Sequence, residues 1–557
     1  MSAEAVPAVR PRRIRIASLP THTAAGALAA VLATAASPPA SAAPISFAPG
    51  DLAVTYSVYP GIANPYTGST GGYATPDIVA GTTVLPISPP VVASNGGSYP
   101  GVFSNTAVDA NFGVTSPIYL GQITPTGTMV STTDLTALTG ITTSFSSKSE
   151  LSLNQSTNGG ALTLSGYNAP VGTIDVSNAN TPNHIDPTNT DTQTPTNRSV
   201  VQVNADGTVQ VTSTNAYSGN NGRAAILANN VNGTGQGEYL LAGNAGNGSG
   251  KPPTNIVDNT GVQLIQPGST NPETTVVGEQ QGTPGAKDGF QYGFSVTQTN
   301  PATGTAYGPA DKSGKDNNFR GETIFDNTLY VTKGSGGNGI NTVYQVGAPG
   351  SLPTAATAAT TQIAPLPGFP TFLASASTPP AKYPFGFQPF GIWFANPDTL
   401  YVADEGDGVI ADAANDPNAG LEKWSFNGTD WVLDYTLQSG LGLGVDYTLG
   451  DYPAVAADGL RNIAGVVDGN GMVTIYGATS TVSNSGDQGA DPNEIVAVVD
   501  DIADTTLPTG EGFSVLDGPQ YGVVYRGVAS DPVPEPATIT ILASALAGLG
   551  IRRRRTA

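Results

Sequence analysis

Short runs rich in Val, Thr, Ile and Tyr recur through residues 43–536, and Gly, Asn and Asp break them every few positions. Apolar and polar positions alternate within these runs, so one side of an extended strand would face a core. No long stretch of the body carries the 3.6-residue period of an amphipathic helix. Three hairpins can be placed. Val200–Val203 and Thr208–Val211 flank Asn204-Ala205-Asp206-Gly207, a turn that tolerates positive φ. Ser152-Leu153 and Ala161–Leu164 flank a turn containing Asn158-Gly159-Gly160, and Lys423–Phe426 and Trp431–Tyr435 flank Asn427-Gly428-Thr429-Asp430. The pattern predicts an all-β body.

A diffuse repeat orders these hairpins. Gly321–Thr332 reads GETIFDNTLYVT, Gly391–Asp404 reads GIWFANPDTLYVAD, and Gly465–Gly477 reads GVVDGNGMVTIYG. Each is an apolar strand, an Asn/Asp/Gly turn and a second strand. A further unit begins at Tyr525-Arg526-Gly527 and stops at the tail, and weaker cognates are Gly222–Leu227 with Glu238–Ala242, and Ser116–Leu120. The glycines at 321, 391, 465 and 527 are 70, 74 and 62 residues apart. Repeats of this kind predict a β-propeller. Dividing the 494 residues of 43–536 by the spacing gives about seven blades, with six or eight as the alternatives. The truncated last unit predicts ring closure by an N-terminal strand, with Asp51–Tyr56 as the candidate. A β-helix and tandem sandwiches are the alternatives, although a parallel β-helix needs shorter and more regular repeats. Thr399-Leu400-Tyr401-Val402-Ala403-Asp404 resembles the inner strands of secreted propellers of the NHL and SMP-30-like type.

Both chain ends read as addresses. Arg10, Arg12, Arg13 and Arg15 precede a weakly apolar stretch, Ala24–Ala36, and the small residues Ala40-Ser41-Ala42. That order predicts a signal peptide over 1–42, cut by signal peptidase after Ala42. The residues after Arg12-Arg13 match twin-arginine export poorly and favour the ordinary secretory route. At the other end stand Pro534-Glu535-Pro536, the uncharged run Ala537–Ile551, and Arg552, Arg553, Arg554 and Arg555. The prolines hold the motif extended. The run has fifteen residues, against about 20 for a comfortable span, and the arginines favour the cytoplasmic side. This tail resembles the PEP-CTERM sorting signal of Gram-negative bacteria that make exopolysaccharide. The resemblance implies a transient inner-membrane anchor formed by a hydrophobic sorting helix. It also implies recognition of Pro534, Glu535 and Pro536 by an exosortase, and a final place at the cell surface or in the extracellular matrix. The expected domains are 1–42, the propeller 43–530, and the sorting segment 531–557.

Charge narrows the partners. The leader carries four arginines and Glu4, and the tail four arginines; without them 43–536 holds 13 basic and 41 acidic residues, a net charge of −28. Nucleic acid is an unsuitable partner for such a surface, as is an anionic membrane face. There is no cysteine, which excludes thiol nucleophiles and thiolate metal sites. His184 is the single histidine left after the leader, in the loop-like stretch 181–187, so a multi-histidine metal site is excluded and a Ser-His-Asp triad would rest on it alone.

Three features could carry chemistry. Asp404-Glu405-Gly406-Asp407-Gly408, followed by Asp412, Asp416 and Glu422, alternates carboxylates with glycine; Asp404 and Asp407 are candidate ligands for Ca²⁺, although the EF-hand pattern is not met. Asp500 and Asp501 read as a strand end and turn. Arg223, Arg320, Arg461 and Arg526 recur at one point of the unit, either gathering anionic groups in a central channel or pairing with acids between blades. Gly334–Gly339 lacks the Lys-Ser/Thr of a phosphate loop. Two functions follow: a non-enzymatic surface protein used for adhesion, matrix structure or binding of extracellular polysaccharide, or a secreted propeller hydrolase with a Ca²⁺ or paired-carboxylate site. Three or more carboxylates converging at the channel mouth would favour the second; a hydroxyl and amide lining would favour the first.

Overall fold

The computed structural model describes residues 45–59, 113–145, 147, 149–173, 176–185, 195–245, 259–278, 317–336, 339–374, 376–483 and 489–533, with the short strands Thr83–Leu85, Val91–Ser94 and Ser104–Asn105. The leader, with Ala40 and Ala42, and the tail from Pro534 to Ala557 lie outside the described residues.

The body is all-β with a propeller-like arrangement. Four separate four-stranded sheets follow one another in sequence, each made of consecutive strands paired first to second, second to third and third to fourth. They begin with Gly222–Ala228, Glu322–Phe325, Pro389–Asn396 and Val455–Val467. The short strands Thr83–Leu85, Val91–Ser94 and Ser104–Asn105 form a three-stranded sheet, and the others form one nine-stranded sheet. Within it, Val523–Ser530, Leu52–Val58, Thr115–Ile123 and Met129–Asp134 make one antiparallel group. Asn154–Gln155, Ala161–Tyr167, Arg198–Asn204 and Val209–Thr214 make another. Thr142–Ser144 joins the two groups by pairing with Pro117 on one side and Tyr167 on the other.

The predicted hairpins stand. Val203 is opposite Val209, and Phe426 is opposite Trp431. The hairpin at 152–164 pairs Asn154 with Thr163, so its first strand starts two residues late. The predicted closing strand pairs with the last one: Leu52 faces Ser530 and Ala53 faces Ala529. One reading changes. Ser116–Leu120 is not a cognate of the repeating first strand, because Thr115–Ile123 pairs on both sides inside the closing group. Its apolar alternation reflects burial, which a first and a third strand share. The four separate sheets do not reach the expected seven units. Among the described residues, 376–388 and 438–454 add length without adding strands to the ladders.

The first strands of the sheets lie side by side and point the same way. The carbonyl of Ala225 accepts from Asn154 Nδ2 at 3.1 Å and from Thr163 Oγ1 at 2.6 Å. Arg223 Nη1 donates to the carbonyl of Phe319 at 2.8 Å. A Cβ on Gly321 would sit 2.2 Å from the carbonyl oxygen of Phe390, and one on Gly391 would sit 2.4 Å from that of Arg461. Val528 N donates to Asn462 Oδ1 at 2.6 Å, and Thr55 Oγ1 donates to the carbonyl of Leu151 at 2.8 Å. This circuit returns to the strand from which it started.

Apolar side chains fill the spaces between neighbouring sheets. Ala224, Leu240 and Val262 pack on Leu329, Tyr344 and Val346. Phe394, Leu400 and Trp424 pack with Val343 and Phe369, and Trp424 stacks on Phe369 at 4.0 Å. Tyr401 and Leu421 meet Leu460 and Ile475, while Leu52 and Val54 meet Tyr476 and Ile495. Burial of each large side chain contributes about 1.5–3 kcal/mol, so a cysteine-free chain is held by these faces and by its ladders.

Candidate functional site

The four arginines singled out by their spacing come to one end of the circuit, where the first strands begin. All four are buried: Arg223 is 3% exposed and Arg320, Arg461 and Arg526 are each 5% exposed. Their distance from the strand start differs, but their level in space matches, since Gly321 abuts Phe390 and Gly391 abuts Arg461. Arg461 Nε pairs with Glu405 at 3.1 Å, the structural role anticipated for this set. The other three also donate to neutral groups among the described residues. Arg223 reaches Asn221 Oδ1 at 3.1 Å and the Asn318 side chain; Arg320 reaches the hydroxyls of Ser149 and Ser335; Arg526 reaches the carbonyls of Phe145 and Gly489. Burial, and after it the Arg320 charge, disfavours the charged form of Arg223, while Glu405, Tyr167 and Glu150 favour it.

Beside this set lies a network without a sequence motif. Glu150 accepts from the Tyr167 hydroxyl, from Thr143 Oγ1 at 2.7 Å and from Ser144 N at 2.9 Å. Arg198 stacks 5.1 Å from the Tyr167 ring centre and donates to the carbonyls of Thr196, Ser177, Ala179 and Asn220. Burial first, and then Glu150, pushes the Tyr167 hydroxyl well above its ordinary range. The strands placed from the sequence stop at Leu164 and begin at Val200, so no signal there marked Glu150, Tyr167 or Arg198.

The channel between the first strands encloses about 210 Å³ at the end where those strands finish. Ser152, Asn154, Gln155, Thr323, Asn462 and Ser530 supply polar lining, and among the described residues Glu322 is the single carboxylate in it. Glu322 is 4% exposed and neither of its oxygens has a hydrogen-bond partner. Burial pushes it well above the carboxylate range.

The acidic loop is folded in rather than displayed. Asp404 accepts from Gln388 N at 2.8 Å and Gly406 N at 2.9 Å, and burial followed by Glu422 and Asp416 raises it well above its usual value. Glu422 accepts from Trp424 Nε1 at 2.9 Å and is pushed up to about 8, chiefly by burial. Asp416 Oδ2 and Asn418 Oδ1 are buried without hydrogen-bond partners. Asp407 accepts from Val409 N at 2.8 Å and is pushed up to about 6 by burial. Among the described residues, no three acidic or histidine side chains are gathered to hold a metal ion. Asp500 does end a strand, Ile495–Asp501, as expected, but it also accepts from Tyr435 Oη at 2.6 Å and from Tyr401, and pairs with buried Lys423 at 3.0 Å. His184 Nε2 meets Glu273 Oε2 at 3.2 Å, and the nearby Ser218 hydroxyl donates to the His184 carbonyl.

The described chain ends beside the closing strand. Asp531 Oδ2 accepts from Ala48 N at 3.3 Å, and Val533 N donates to the Gly159 carbonyl at 3.0 Å. The sequence then enters a stretch that the model of the PEP-CTERM protein-sorting motif matches from 532 to 555. Residues 532–555 are a PEP-CTERM protein-sorting motif. The motif implies export, processing by an exosortase and a membrane-anchored step in Gram-negative bacteria. No helix among the described residues is long and apolar enough to cross a membrane, and the expected sorting helix at 537–551 lies outside them. No curated protein matches the chain in sequence. Among solved structures, the parainfluenza virus 5 hemagglutinin-neuraminidase ectodomain is similar over 76% of this chain and 78% of that one, at 11% identity and a TM-score of 0.30. The same viral protein with the ligand DANA is similar over 76% and 85%, at 10% identity and a TM-score of 0.28.

Proposed function

We propose that the chain is an exported protein whose six-bladed propeller is carried to the cell surface or matrix by its PEP-CTERM motif and serves there in binding or matrix structure. The observation that carries this reading is the sorting motif at 532–555, which begins directly after the strand Val523–Ser530. Six blades follow from counting the two four-stranded groups of the nine-stranded sheet as two blades beside the four separate sheets. In this reading 1–42 is a leader cut after Ala42, 43–530 is the propeller, and 531–557 is the sorting segment. The channel lining supports binding over hydrolysis, because hydroxyl and amide groups make up its polar part and Glu322 is the one carboxylate among the described lining residues. The test is expression in a host with the cognate exosortase. The parent should lose its tail and leave the membrane fraction, while Glu535→Ala should keep the tail mass and stay in the membrane. Identical fates for both chains would end the reading.

A second reading gives the acidic loop a hard cation. It is supported by the buried, unpartnered Asp416 Oδ2 and Asn418 Oδ1 beside Glu422, whose Oε1 is 3.5 Å from Asn418 Nδ2. The carboxylates of Asp404 and Glu422 would have to draw in, with Asp407 at the rim. Calcium should then raise the melting temperature of residues 43–536, EDTA should reverse the rise, and Asp404→Asn should abolish it. An unchanged melting temperature would remove calcium.

A further inference from the structure

The two ends of the propeller-like body differ. At the end where the first strands begin, the connections are long: 59–114, 168–197, 244–260, 278–321, 366–388, 405–419 and 438–454 all leave and re-join the sheets there. At the opposite, trailing end most connections are shorter: 124–128, 156–160, 205–208, 229–237, 266–274, 326–327, 397–398, 427–430, 468–471 and 502–513, with 347–362 the longest. The four buried arginines belong to the first end. The sorting motif leaves from the trailing end, because Val523–Ser530 runs toward it and Val533 is bonded to Gly159 in the turn that follows Asn154–Gln155.

We infer that the membrane-anchored protein stands with its trailing end toward the lipid surface and its long-connection end, with the arginines, pointing away. This rests on the proposed membrane-anchored step. Four chain steps separate Val533 from Ala537, where the apolar run starts. Fully extended they span at most about 14 Å. The eight-residue strand Val523–Ser530 is itself about 26 Å long. The tether is therefore shorter than the body is thick, and the distal end cannot turn to the membrane while Val533 stays in place. The trailing end is held near the surface without sinking into it. Its turns expose Asp206, Asp326, Asp398, Asp430 and Asp468, which anionic headgroups repel over a Debye length of about 8 Å. Any ligand of the long-connection end then approaches from the side away from the membrane, and the sorting enzyme must reach its motif in the gap beneath the ring.

The chain has no cysteine, so single cysteines report one place each. Asp398→Cys and Gly469→Cys mark the trailing end; Val409→Cys and Val445→Cys mark the other. The full chain, in membranes lacking exosortase, would carry an environment-sensitive thiol dye and be challenged with headgroup-linked quenchers. Strong quenching at 398 and 469 and little at 409 and 445 is expected. Inserting about 20 Gly/Ser residues between Val533 and Pro534, a coil of roughly 25 Å, should erase the difference. Equal quenching at both ends, stronger quenching at 409 and 445, or a difference that survives the insertion would overturn the orientation. Release of the unlabelled full chain by alkaline carbonate would overturn the anchoring itself, and the orientation with it.

Discussion

Arg461 and Glu405 form a buried ion pair, and its worth lies in what is left when one partner goes. Removing one member of a buried pair costs about 3–5 kcal/mol, so Arg461→Ala should lower the unfolding free energy from urea denaturation by that amount while Arg461→Lys recovers only part of it. Arg526→Ala should cost about 2 kcal/mol, because the Phe145 and Gly489 carbonyls lose their donors in a dry place. The arginines were visible in the sequence because Arg is scarce and recurs at one point of the unit. Their partners were not: Glu405, Ser149 and Phe145 lie 56, 171 and 381 residues away along the chain. Glu422 gives a pH test. Its folded value of about 8 lies above the ordinary 4.5, chiefly through burial. The native state therefore keeps a proton that the unfolded chain releases. This stability is complete below pH 4.5 and is lost as pH rises through about 8. Glu422→Gln should flatten the fall in melting temperature across that window, and an unchanged slope would refute the assignment.

Strands and tight turns were readable because they depend on local alternation and on Asn, Asp and Gly at the bends. The hairpins at 198–214 and 420–437 appear with the register that their turns dictate. Ser116–Leu120 shows the limit of such reading. Alternation tells that a strand is half-buried, but its order within a sheet is set by which neighbours it finds. Close approach of first strands is a second property invisible to local pattern. Gly391 has no positive φ to explain it; it is needed because a Cβ would meet the Arg461 carbonyl oxygen at 2.4 Å. Gly391→Ala should therefore destabilise by about 1–3 kcal/mol, the usual cost of overpacking, whereas Gly428→Ala, in an open turn, should be felt only through its backbone angle. Chemical unfolding of the two variants side by side checks this.

At the scale of the molecule, the first and last strands close the structure on each other. Deleting residues 43–58 removes the fully paired strand Leu52–Val58 and exposes the edges of Val523–Ser530 and Thr115–Ile123. The deletion should abolish cooperative thermal unfolding and promote self-association through the open edges, read by circular dichroism and size-exclusion chromatography. The sequence by itself determined the C-terminal sorting motif, the all-β character, the repeat and the closing strand, because each rests on the chemistry of residues adjacent in the chain or on a period along it. The tertiary structure alone decided which arginine meets which acceptor, that Asp404, Asp416 and Glu422 are buried, and at which end of the sheets the last described residues lie. Those facts depend on contacts between residues hundreds of positions apart, such as Leu52 with Ser530, and no local pattern of side chains encodes them.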